Sequence, residues 1–94
     1  MKKLTLIIMD NNPICTSVLQ WVNVLCAENA AYGMIHIQVI NETHFADIAK
    51  TYNYSQAPAF FSGKTLLIEN VSSQESIRVM FDEVLAGKHD SAMG

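Results

Sequence analysis

The chain has 94 residues, of which 50% are apolar and 16% are charged. This length and balance fit one folded domain with a small core, and they exclude a disordered chain. The formal net charge of −3 gives no electrostatic attraction to nucleic acid, so no nucleic-acid partner is expected.

The first apolar run covers residues 4–9, directly after Lys2 and Lys3, and it ends at Asp10. With about six residues, it is shorter than the roughly 7–15-residue apolar core of a signal peptide. No apolar run reaches the ~20 residues that a membrane span requires, so no membrane partner is expected. We therefore predict a first strand buried on both faces, in a cytoplasmic protein whose two cysteines are reduced.

The middle of the chain alternates between helical and strand patterns. Residues 10–13 form a turn cluster, and a helix is predicted from Thr16 or Ser17 onward. Residues 34–40 alternate as a strand does, and Thr43 is the predicted N-cap of a second helix. The predicted apolar face of the first helix comprises Val18, Leu19, Trp21, Val22, Val24, Leu25 and Cys26, and that of the second comprises Phe45, Ile48, Ala49 and Tyr52.

The pattern of the second half of the chain predicts a β-hairpin followed by a last helix. Residues 59–61 and 65–68 flank the turn 62–64, and Ser72 with Glu75 fits a capping box. The buried stripe of this helix comprises Ile77, Met80, Phe81, Val84 and Leu85. Gly87 ends the helix, and about residues 88–94 form a predicted disordered tail. The order β-α-β-α-β-β-α predicts an α/β domain with a four-stranded mixed sheet flanked by three helices.

Cys15 and Pro58 mark the predicted functional site. Proline lacks an N–H and is poorly tolerated inside a sheet, so Pro58 is expected at the start of the third strand. Cys15 lies where the first strand gives way to the first helix. A cysteine at such a junction, opposite a proline that opens a later strand, is the layout of a thiol-redox site.

The stretch from Asn41 to Phe60, with Tyr52-Asn53-Tyr54 leading to Ala57-Pro58, resembles the part of thioredoxins that leads into their cis-proline. The resemblance covers about residues 3 to 87 and implies a thioredoxin fold of glutaredoxin size. The C-x-x-C motif of the family reads Cys15-Thr16-Ser17-Val18, so the first cysteine is kept and valine replaces the second. The glycine-rich, acidic glutathione-binding stretch of glutaredoxins is replaced by Asn70-Val71-Ser72-Ser73.

The resemblance implies monothiol thiol–disulfide exchange through Cys15. A helix N-terminus lowers the pKa of a thiol, and a moderate lowering is expected because no basic residue lies nearby in sequence. Cys15 would form a mixed disulfide with a protein disulfide or mixed-disulfide substrate, with no cofactor, and glutathione or another low-molecular-weight thiol would resolve it. In the family, the backbone before the cis-proline pairs with the substrate, a role that falls on Ala57 with Pro58. Thr16 and Ser17 either donate hydrogen bonds to the thiolate or cap the helix.

Two other interpretations stay open. The groove between Cys15 and Pro58 could bind an extended peptide without chemistry, or a sheet edge could serve an adaptor or dimer-forming domain. A monomer or weak dimer is expected. Cys26 lies eleven residues after Cys15, roughly 16 Å along a helix, which is too far for a disulfide, so it is predicted to be a core residue. The spacing of the histidines matches no metal site. Predicted aromatic core residues are Trp21, Phe45, Phe60, Phe61 and Phe81, while Tyr52 and Tyr54 either join the core or line the groove.

Overall fold

Strands and helices follow one another in the predicted order. The computed structural model describes residues 2–88. The elements are β1 (Lys2–Ile8), α1 (Pro13–Glu28), a 3-10 turn (Tyr32–Met34), β2 (Ile35–Asn41), α2 (Ala46–Ala49), β3 (Ala59–Ser62), β4 (Thr65–Glu69) and α3 (Gln74–Leu85). The α/β class and the β-α-β-α-β-β-α order are confirmed. Residues 89–94, most of the predicted disordered tail, lie outside the described residues. Within residues 2–88, no helix has the length and apolarity needed to cross a bilayer.

The sheet is mixed and open, with the strand order β2-β1-β3-β4. β1 pairs with β2 in parallel, whereas β1 with β3 and β3 with β4 are antiparallel. In the central pair, Ile7 lies opposite Ala59. Because the two strands run in opposite directions, the first residues of β3 lie beside the last residues of β1. This register brings Pro58 to the end of the sheet where the chain leaves β1 for α1.

The two faces of the sheet bury separate apolar clusters. Successive residues of a strand point to opposite faces, and consecutive Phe60 and Phe61 accordingly belong to different clusters. The larger cluster lies between the sheet, α1 and α3, and the smaller one lies beneath α2. The larger comprises Leu4, Leu6, Val18, Leu25, Tyr32, Ile35, Phe60, Val71, Ile77, Met80, Phe81 and Val84, with Trp21 and Cys26 packed against it, and the smaller comprises Ile7, Ile40, Ala49, Ala59 and Phe61. The core positions predicted for Phe60, Phe61 and Phe81 are confirmed.

α1 begins at Pro13, earlier than predicted. Asn12 is its N-cap, and the Asn12 side chain accepts hydrogen bonds from the backbone N–H groups of Ile14 and Cys15. Proline is well suited to the first helical position, where its missing N–H would have no helical partner anyway. The predicted start at Thr16 or Ser17 is wrong, because the Asn-Pro pair that is typical of a turn is itself the start of the helix. Thr16 and Ser17 therefore do not cap it.

α2 is a single turn, much shorter than the predicted helix. Asn41 Oδ1 accepts from the Thr43 N–H at 2.9 Å, and Thr43 Oγ1 accepts from the Asp10 N–H at 2.9 Å. Thr43 thus ties the loop after β2 to the loop after β1, and the prediction that it caps a helix is wrong. A single helical turn does not place the predicted apolar stripe against the sheet. Phe45 is therefore 56% exposed and Ile48 is 51% exposed. The predicted core position of Phe45 is also wrong.

α3 follows the predicted pattern with a shifted cap. The Ser73 side chain accepts from the Ser76 N–H at 3.2 Å, so the cap is Ser73 and the predicted capping box of Ser72 with Glu75 is wrong by one residue. The predicted stripe is buried at Ile77, Met80, Phe81 and Val84. Gly87 follows the helix with a φ of 82°, a left-handed conformation that glycine adopts readily, which confirms it as the stop.

Candidate functional site

The end of β1, the start of α1 and the start of β3 meet at one end of the sheet. Cys15 lies in the first turn of α1, and Pro58 directly precedes β3. The Ala57–Pro58 peptide bond is cis. Both residues of this bond are buried. The β1–β3 register therefore brings the two sequence-predicted parts of the site to the same end of the sheet.

A cavity of about 350 Å³ joins these parts. Its lining comprises Met9, Asn12, Glu42, Ser55, Gln56, Ala57 and Asn70. Ala57, the predicted substrate-pairing residue, thus shares a cavity with Asn12, the cap of the helix that carries Cys15. Thr16 and Ser17 are not among the lining residues: Thr16 is exposed and Ser17 half-buried on α1. The structure brings Ala57 and Pro58 to the predicted site and leaves these two hydroxyls beside it.

Cys15 lies behind the cavity wall. The residue is 2% exposed. Its backbone N–H donates to Asn12, and its thiol is hydrogen-bonded to the backbone of Met9, so it contacts two of the lining residues. Because the thiol is buried, a substrate reaches the sulfur only after neighbouring residues move.

The predicted lowering of the Cys15 pKa is wrong. Burial raises the pKa of this thiol, because the charged thiolate loses hydration. The hydrogen bond with the Met9 backbone acts in the opposite direction, and the nearby Glu42 carboxylate raises the pKa further. In this conformation the thiol is protonated at neutral pH.

The backbone N–H groups at the N-terminus of α1 are already hydrogen-bonded to the N-cap of the helix. A helix end stabilises a thiolate chiefly through backbone N–H groups without partners. Here Pro13 has no N–H, while the Ile14 and Cys15 N–H groups donate to Asn12 Oδ1 at 2.9 and 3.3 Å. The Thr16 N–H donates to the Asn12 carbonyl at 3.4 Å. The position of Cys15 on the helix was predicted nearly correctly, but the donors that would have lowered its pKa are occupied.

Replacing Asn12 with alanine is expected to lower both stability and the Cys15 pKa. Loss of the cap should reduce the free energy of unfolding by about 1 kcal/mol. The released N–H groups of Ile14 and Cys15 would then favour the thiolate. Urea denaturation measures the first effect, and the pH dependence of iodoacetamide alkylation measures the second, both in a Cys26→Ser background that leaves one thiol.

Asn29→Ala is the matched control for Asn12→Ala. Asn29 lies at the other end of α1, where its side chain accepts from the Ala31 N–H at 2.9 Å. This variant should lose stability and leave the Cys15 pKa unchanged. Equal pKa values in the two variants would show that the cap does not control the thiol.

Glu42 is the one acidic residue of the cavity lining, and the sequence did not reveal it as a site residue. Its backbone N–H donates to the Ile8 carbonyl at 2.8 Å, which holds it at the end of β1, and its Oε1 accepts from the Tyr54 hydroxyl at 2.7 Å. Burial, followed by this hydrogen bond, raises the pKa of Tyr54, so the tyrosine is neutral. A carboxylate directly after a strand parallel to β1 was a usable signal, but the local pattern assigns Glu42 to the start of a helix.

Tyr52 and Tyr54 pack against the smaller core cluster, and neither is among the residues that line the cavity. Their rings pack edge-on against Phe61, with centroid distances of 5.0 and 6.1 Å. The Tyr54 hydroxyl reaches the cavity residue Glu42. Tyr54 thus links the smaller core cluster to the site.

The remaining chemistry of the described residues is limited. Both cysteines are free thiols, and Cys26 is half-buried against the core. Within residues 2–88, no group of three or more histidine, cysteine, aspartate or glutamate side chains could hold a metal ion. No family model and no curated protein matches the sequence.

Proposed function

We propose that the protein is a thioredoxin-like monothiol protein that exchanges disulfides through Cys15. The register that pairs Ile7 with Ala59 carries this proposal, because it joins Ala57 and the Cys15 helix cap around one cavity. The order β2-β1-β3-β4, with β1 and β2 parallel and β3 and β4 antiparallel, supports the finer assignment to a thioredoxin fold. The buried Ala57-Pro58 step opens β3, as the resemblance implied.

The exchange proceeds in two steps. Once the site opens, the Cys15 thiol loses its proton to solvent, and the thiolate attacks one sulfur of a protein disulfide or mixed disulfide. A bond forms between Cys15 Sγ and that sulfur, the original S–S bond breaks, and the departing sulfur leaves as a thiolate that takes up a proton. A second thiol, glutathione or another low-molecular-weight thiol, then attacks the mixed disulfide and releases Cys15. No cofactor is required, and Val18 leaves the helix without an internal resolving thiol.

This chemistry fits a reducing compartment, and we assign the protein to the cytoplasm on that ground. A monomer or weak dimer suffices, because all the proposed site residues belong to one chain. Neither nucleic acid nor a membrane surface is a proposed partner.

Burial of Cys15 favours a second candidate, a non-catalytic peptide-binding module. A thiol that is 2% exposed and has a raised pKa is a poor nucleophile until the site opens. The cavity around Ala57 could then hold an extended peptide through its backbone alone. The two candidates differ in whether a covalent bond to Cys15 ever forms.

Trapping the mixed disulfide on Cys15 distinguishes the candidates. In the Cys26→Ser background, incubation with bis(2-hydroxyethyl) disulfide should add one mercaptoethanol group, detected by intact mass, and added thiol should remove it. Cys15→Ser should abolish both the adduct and reductase turnover. If native protein forms no adduct while the same chain in urea does, exchange is excluded and the binding module becomes the better candidate.

A further inference from the structure

The cavity at the site carries one ionisable group. Of its seven lining residues, Glu42 is acidic and none is basic. Ser55, another lining residue, donates its N–H to Glu69 Oε2 at 3.3 Å, which places a second carboxylate at the rim. The surroundings of the cavity are therefore negative.

Glu42 is held in place by two hydrogen bonds. The hydrogen bond from its backbone to Ile8 and the one from the Tyr54 hydroxyl fix both ends of the residue. Tyr54 is a neutral donor, so it orients the carboxylate without neutralising it. A carboxylate has two oxygens and several lone pairs, so it can accept from Tyr54 and from a ligand together.

The Glu42 charge also acts on the reacting sulfur. Its Coulombic effect on Cys15 disfavours the thiolate. A cation placed beside Glu42 would offset that effect, so the substrate itself would help to ionise the thiol. An anion would add to the repulsion.

We propose that Glu42 makes the site selective for disulfides that carry a positive charge, such as an ammonium or guanidinium group, close to the reacting sulfur. This inference rests on the proposed function. The substrates it favours are amine-bearing small disulfides and protein disulfides flanked by lysine or arginine. Anionic disulfides such as glutathione disulfide are disfavoured, so glutathione disulfide would be a poor substrate for the first step.

Three small disulfides of similar size test the charge preference. Cystamine is cationic, bis(2-hydroxyethyl) disulfide is neutral and 3,3′-dithiodipropionate is anionic. The rate of adduct formation on Cys15 is measured at low ionic strength in the Cys26→Ser background and divided by the rate of free cysteine with the same disulfide. This division removes the intrinsic reactivity of each compound.

The normalised rates should fall from cystamine to the anionic disulfide by about 10-fold, the lower end of the range for electrostatic steering. Added salt should reduce the difference between the three normalised rates. Glu42→Gln retains the shape of the side chain and a hydrogen bond with Tyr54. It should bring the three rates to within about twofold of one another and raise the rate with the neutral disulfide, since the thiolate is no longer repelled. Glu75→Gln, an exposed carboxylate on α3, is the matched control and should preserve the order.

The outcomes separate this inference from the proposed function. If the neutral disulfide reacts but the charge order is absent, or if the order survives Glu42→Gln, the selectivity is overturned and exchange stands. If none of the three disulfides modifies Cys15 in the folded protein, both the exchange and the selectivity are overturned.

Discussion

Replacing Phe60 with alanine should reduce the free energy of unfolding by about 3–5 kcal/mol, a large part of the total stability of a small domain. Phe60 is fully buried in β3, at the centre of the sheet, where it pairs with Leu6. Its ring packs edge-on against Phe81 of α3, with 6.4 Å between centroids and an interplanar angle of 89°. Truncation removes this contact and leaves a cavity between the sheet and a helix.

Phe45→Ala is the control for the Phe60 variant. The sequence predicted a core position for both residues, but Phe45 is 56% exposed in the folded protein. Its truncation should change the free energy of unfolding by less than about 0.5 kcal/mol. Urea denaturation of the two variants gives the comparison directly. Similar losses would mean that the loop before α2 packs more tightly than the structure shows.

The sheet could be predicted because its strands are buried on both faces or flank a clear turn. A continuous apolar run is typical of a central strand, and β1 forms hydrogen bonds with two neighbours. The edge strand β2 is harder to predict, because both of its faces are only partly covered. The alternation in β2 groups Val39 with Ile35 and Ile37, yet Val39 is 47% exposed and its neighbour Ile40 is buried.

The helix boundaries depend on hydrogen bonds that composition does not reveal. Asn12 caps α1 and Ser73 caps α3. By residue type alone, other residues of the turn cluster 10–13 and the serine next to Ser73 are equally suitable caps. Thr43 is a good cap by residue type and instead accepts from Asp10, a residue 33 positions earlier. Such long-range partners are set by the sheet register, so local pattern alone misplaces the start of α2.

The expected meeting of the Cys15 helix and Pro58 at one end of the sheet came from the junction of strand and helix and from the resemblance, not from a predicted register. The electrostatics there were not predicted. The pKa of Cys15 depends on its depth of burial, on Asn12 occupying the helix donors and on the charge of Glu42. None of these three can be obtained from the spacing of residues along the chain.

Replacing Val18 with cysteine should convert the site into a dithiol that reduces insulin. Val18 lies three residues after Cys15 on α1, at a Cα separation of about 5 Å in a regular helix. Disulfides span roughly 4.4–6.8 Å between Cα atoms, so this pair can close. In the proposed mechanism, the new thiol attacks the mixed disulfide on Cys15, releases the reduced substrate and leaves an internal disulfide. Dithiothreitol then restores the dithiol, and insulin turbidity measures turnover.

Ser17→Cys is the matched control, because it adds the same group to the same helix at a position that does not face Cys15. Residues two apart on a helix point in different directions, so Cys15 and the introduced thiol should both remain free after mild oxidation, and the variant should not gain insulin reductase activity. Val18 is fully buried in the larger core cluster, so Val18→Cys should also lose about 1 kcal/mol of stability. Urea denaturation checks that the variant folds. A folded Val18→Cys protein that forms the internal disulfide yet fails to reduce insulin would show that substrates do not reach Cys15 through the cavity beside Ala57.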